Sequence, residues 1–259
     1  MTTRIWFVIG ISALAVAAAL LIPPMAQPLE YHDFADHREA FGIHNFLDVA
    51  SNGAFLIVGV IGLSIALGPR ARFQFKAERW PYVIFFTGVL LTAAGSAYYH
   101  LAPDNETLFW DRVPMTVAFM ALVASQVVDR INVRVGLGLL IPMLILGAAS
   151  VIYWRITERA GAGNVMPYGI LQGYSVVILL LMATLPSRYT RGKDLYWVFA
   201  WYVLSKLFET FDPQILALGH VVSGHSLKHL AAAMAGVAIC QMLIRRTLIT
   251  PNFAEHPPG

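Results

Sequence analysis

Long apolar runs separated by short polar stretches set the pattern of this chain. About twenty such residues in an α-helix cross the ~30 Å hydrocarbon layer of a bilayer. The pattern therefore predicts an all-α, polytopic transmembrane helix bundle. Eight spans are expected, at Ile5–Ile22, Phe46–Leu67, Trp80–Leu101, Val113–Val128, Val135–Trp154, Met166–Leu185, Leu195–Phe211 and Gly224–Ile244. They read as one bundle over residues 1–250, with an extra N-terminal helix in 1–26, a seven-helix core in 44–246 and a disordered tail in 251–259. Arg4 ahead of an apolar run also resembles a signal peptide. Pro24, however, stands where cleavage wants a small residue, so an uncleaved helix is expected.

Basic residues orient the bundle. Arg4, Arg70, Arg72, Lys76, Arg79, Arg130, Arg134, Arg188, Arg191, Lys193, Arg245 and Arg246 fall on one side of the eight spans. The opposite loops hold Arg38, Arg155 and Arg159. The positive-inside rule then puts both termini in the cytoplasm.

The composition, 58% hydrophobic and 13% charged, lies well below the charge content of a soluble domain. The net charge of +3 is spread over loops rather than gathered on one face, which argues against nucleic acid as a partner. The lone Cys240 allows no intrachain disulfide.

Ionisable groups inside a membrane are costly, so each is a candidate for function. One set shares a depth. The third span ends in Ser96-Ala97-Tyr98-Tyr99-His100, the fourth begins at Trp110-Asp111-Arg112-Val113-Pro114-Met115, and the eighth begins at His225-Ser226-Leu227-Lys228-His229. In the expected topology all three segments lie at the outer, non-cytoplasmic boundary. His225 and His229 are four apart, so they share one helix face and can share one metal ion. His100 would add a third nitrogen. Three histidines with one open position are the usual plan of a catalytic zinc site. Asp111 is the carboxylate placed to handle a proton, with Ser96 as a hydroxyl beside the metal.

Each residue also has an ordinary reading. The histidines could face interfacial water, Asp111 and Arg112 could form an ion pair, and Ser96 could bond back to its own helix. Lys206 and Glu209 suit an intrahelical pair. Lys228 suits snorkelling or a lipid headgroup. His220, Asp104, Glu106, Glu158 and Arg159 suit solvated loops.

Together with Asp48-Val49-Ala50-Ser51-Asn52, these motifs resemble the alkaline ceramidase family, part of a superfamily of membrane hydrolases that includes the adiponectin-type receptors. The resemblance runs from about His44 onward. It implies a seven-helix core in which His100, His225 and His229 bind zinc, Asp111 handles the proton of the bound water and Ser96 steadies the oxyanion. The chain departs from the family by its extra first helix. It departs again where eukaryotic members carry an acidic calcium-binding stretch, here Asp33-Phe34-Ala35-Asp36-His37-Arg38, since Arg38 stands where an oxygen ligand would be and Asn45 where a glutamate would be. That exchange argues against a calcium cage, and Arg38 is expected to pair with Asp33 or Asp36 instead.

The function this implies is zinc-dependent hydrolysis of a membrane lipid amide, ceramide or another N-acyl lipid. The alternative is a zinc-containing receptor or regulator of the same superfamily without turnover. A transporter fits less well, because neither inverted repeats nor broken mid-membrane helices are evident. The sequence fixes neither the lipid nor the oligomeric state.

Overall fold

The computed structural model describes residues 3–249, so the tail expected at 251–259 lies outside the described residues. Its helices are α1 (Thr3–Leu21), α2 (Phe46–Ser51), α3 (Gly53–Leu67), α4 (Trp80–Leu101), α5 (Asn105–Arg130), α6 (Val133–Arg159), α7 (Met166–Ala183), α8 (Leu195–Thr210), α9 (Asp212–Gly219) and α10 (Gly224–Arg245). Among the described residues there is no strand, only two isolated bridges.

Six helical segments are long and apolar enough to cross a membrane: Phe46–Leu67 (α2 and α3 together), Lys76–Leu101, Asn105–Arg130, Val133–Arg159, Met166–Ala183 and Gly224–Arg245. They make the chain an integral membrane protein built as a helical bundle. The first expected span contributes a shorter apolar helix, Val8–Leu21. The seventh, α8, has 16 residues; at 1.5 Å per residue it reaches about 24 Å.

Two helices run further than their apolar cores. α5 starts at Asn105 rather than Val113, because Asp104 and Thr107 form a capping box that satisfies the first turn. α6 continues to Arg159, where Arg155 and Arg159 both pair with Glu106 at 2.7 and 2.5 Å. Glu158 accepts from Asn105 at 3.1 Å and from the Trp154 indole at 3.2 Å. Of the residues expected as solvated loop charges, Glu106, Glu158 and Arg159 thus tie α5 to α6, and Asp104 caps α5.

Small residues set the closest approaches, as in other membrane bundles. A Cβ on Gly95 of α4 would sit 2.1 Å from the Trp110 carbonyl oxygen of α5. Pro114 removes the N–H that this carbonyl would otherwise accept from in the helix, so α4 packs where α5 lacks its regular backbone bond. Seven residues earlier on the same face, Gly88 rests against Ala118.

The end of the bundle away from the histidines is closed by buried ion pairs. Arg246 meets Asp129 at 2.8 Å and Arg188 meets Glu78 at 3.0 Å. Arg246 also stacks on Tyr189, Phe73 and Tyr82. Two of the cations counted above for the positive-inside rule are therefore internal fasteners.

Candidate metal centre

His100 lies at the end of α4, and His225 and His229 lie one turn apart at the start of α10. The three imidazoles are buried, and a nitrogen from each lies within 4.8 Å of the others. Their ring centroids are 4.8–4.9 Å apart. The cluster could hold a metal ion.

Local chemistry fixes α10 in this position. Ser223 caps the helix by accepting from the Ser226 backbone N–H at 3.0 Å. The Ser223 and Ser226 hydroxyls both donate to Asp48 Oδ1, at 3.1 and 2.6 Å. Asp212, in the first turn of α9, accepts the His225 backbone N–H at 2.8 Å and the Ala35 N–H at 3.0 Å. Asn45 donates to the His100 carbonyl at 3.0 Å and so holds the end of α4.

The donor set fits a metal on two counts. His229 Nδ1 lies 2.8 Å from Ser51 Oγ, and that hydroxyl donates to the Asp48 carbonyl at 3.1 Å. With the Ser51 proton on the Asp48 carbonyl, the hydroxyl oxygen can accept from Nδ1–H, and that tautomer leaves the Nε2 lone pair of His229 for a cation. Such an outer partner is the usual companion of a metal-binding histidine. Second, His100 Nδ1 is buried without a hydrogen-bond partner, which is costly unless something else uses it. Tetrahedral zinc sets its nitrogens about 3.3 Å apart. The rings have to draw in by about 1.5 Å at most, within reach of a side-chain adjustment.

Lys228 is half-buried and turned inward rather than snorkelling. Its ammonium bonds Glu209 at 2.7 Å and lies 3.3 Å from His225 Nε2. Glu209 also takes Lys206 at 2.5 Å, the pair expected from their spacing.

A cavity of about 430 Å³ adjoins the cluster. His229, Ser96, Asp111 and Arg112 lie on its wall together with Lys206, Glu209 and Lys228, and its remainder is largely apolar. The Ser96 hydroxyl lies beside the Asp111 carboxylate. Asp111 and Arg112 form no ion pair. Arg112 turns away and donates to Gln27 Oε1 at 2.5 Å.

The segment between α1 and α2 covers the other side of the histidines. The Phe34 ring sits 4.7 Å from that of His100 and 4.5 Å from that of His225. Arg38 pairs with Asp36, at 2.7 and 2.6 Å. It also donates to the carbonyls of His220 and Val221. Hydrogen bonding to this guanidinium holds the Asp36 carboxyl below its ordinary pKa. Asp33 meets His37 instead, at 3.5 Å. A guanidinium thus ties the α9–α10 loop to the segment at the position compared above with a calcium site.

Sequence reasoning placed Asp48 and Ser51 in a motif without reading their roles, and it missed Asp212 and Phe34. Asp212-Pro213 opening a short helix was the available signal for the aspartate; a lone Phe in a loop carries none. No family model matches the chain, and no curated protein matches it.

Proposed function

We propose that this protein is a zinc-dependent hydrolase of a membrane lipid amide, of the kind the alkaline ceramidase motifs imply. One observation carries the reading: three buried imidazoles from two distant helices meet beside a largely apolar cavity whose wall also bears a carboxylate and a hydroxyl. Zinc, when bound, supplies a Lewis acid and a water whose pKa falls to about 7.

The chain's own groups do the rest. The apolar part of the cavity takes the acyl chain, leaving the amide carbonyl among Ser96, Asp111 and the histidines. Asp111, held by no cation, receives the proton of the attacking water and returns it to the leaving amine as the C–N bond breaks. The Ser96 hydroxyl donates to the carbonyl oxygen as negative charge develops there. Ser51 and Asp48 keep His229 in the tautomer that presents Nε2.

In this reading the bundle has eight spans, with α1 and α8 crossing as the shorter two. Both termini are cytoplasmic and the histidines lie near the outer face. Reporter fusions at the two ends must then report the same, cytoplasmic side; opposite sides would refute the count.

The chemistry is tested by assaying N-acyl lipids, ceramide among them, with wild type and Asp111→Asn. The variant is expected to keep its zinc and lose about 10²- to 10⁴-fold in turnover. A zinc-loaded wild type that cleaves no lipid amide would leave the receptor reading in its place.

A further inference from the structure

Arg112 is 4% exposed and lies on the cavity wall one residue from Asp111. Its guanidinium faces are covered by Trp154, Tyr168 and Tyr31, at 4.4, 4.7 and 5.5 Å from the ring centroids. These rings accommodate the charge face-on but leave its in-plane donors to find acceptors. One of them, Nη2, has Gln27. Another, Nη1, is buried with no partner. No carboxylate lies within ion-pair distance of Arg112 among the described residues, whereas both lysines on the same wall are bonded to Glu209. A buried charge left in this state is costly.

The wall as a whole points the same way. It carries three cations, Arg112, Lys206 and Lys228, against two carboxylates, Asp111 and Glu209. A metal at the histidines would add further positive charge.

We propose that Arg112 is the recognition point for an acidic headgroup, and that the substrate is an N-acyl α-amino acid whose carboxylate accepts from Nη1. This rests on the hydrolase reading for the position of the amide. With the acyl chain in the apolar part and the amide at Asp111, the group attached to the amide nitrogen falls beside the next residue along α5. Arg112 follows Asp111 directly along the helix, a rise of about 1.5 Å, so the carboxylate is placed on the carbon next to the amide nitrogen. A charge-assisted bond to a guanidinium is the stronger kind and discriminates sharply against neutral analogues.

The test uses the full-length protein in nanodiscs, with binding measured by calorimetry on an Asp111→Asn background so that no turnover intervenes. N-oleoylglycine is compared with its methyl ester and with N-oleoylethanolamine. The acid is expected to bind about ten- to hundredfold tighter than either neutral lipid. Arg112→Gln should abolish that preference while leaving the neutral lipids unchanged, and Arg112→Lys should restore part of it. Equal binding of the acid and its ester overturns the inference, as does a preference that survives in a folded Arg112→Gln protein. If Arg112→Gln does not fold, the acid-against-ester comparison decides. Acid-selective binding by a wild type that hydrolyses no lipid amide at all would refute the hydrolase reading and leave Arg112 as the recognition point for an acidic headgroup. Hydrolysis of neutral amides without acid selectivity would refute this inference alone.

Discussion

Ser51 shows how much of a candidate metal centre lies one bond beyond the three histidines. Its hydroxyl bridges the Asp48 carbonyl and His229 Nδ1, and with its proton on the carbonyl it accepts from the imidazole. Ser51→Ala removes that acceptor, leaving the ring free to turn and to change tautomer. Metal affinity is expected to fall about 10- to 100-fold, read by chelator competition on the folded variant; unchanged affinity would remove Ser51 from the centre. At this scale the sequence was informative where helical spacing speaks. His225 and His229 face one way because they are four apart, and Lys206 pairs with Glu209 because they are three apart. It was uninformative where partners come from distant segments. Nothing in Asp111-Arg112 says that the arginine turns from its neighbour toward Gln27, or that Lys228 turns inward to Glu209.

At the scale of elements, α4 and α5 register the site. Ser96 and Asp111 share a wall because Gly95 lets α4 press on the Trp110 carbonyl, which lacks its i+4 donor at Pro114. Gly95→Val would put a side chain 2.1 Å from that oxygen and is expected to cost about 3 kcal/mol or more. Gly138→Val on α6, whose Cβ meets nothing within 4 Å, is the control. Thermal unfolding in detergent compares them; equal midpoints would show that the α4–α5 contact is not tight. The apolar runs showed where the helices are, since lipid leaves a spanning backbone few alternatives. They did not show where helices end, because capping and ion pairing carry α5 and α6 past their apolar cores. α9 was likewise hidden, its eight residues too short for a run to announce.

At the scale of the molecule, His100 stands more than a hundred residues before His225, and the fold brings them together. The expectation that they meet came from depth: a topology that alternates places the end of the third span level with the start of the eighth. The covering segment with Phe34 and Arg38 was not legible, because loops follow no period and its partners are backbone carbonyls at residues 220 and 221. The convergence of the histidines is the claim on which the rest stands. The most direct test is zinc per chain by mass spectrometry, after loading and desalting, for wild type and for His100→Ala. One zinc per wild-type chain and close to none in a folded His100→Ala protein is the expected result. A wild type that holds no metal, or a variant that holds as much as wild type, would contradict it.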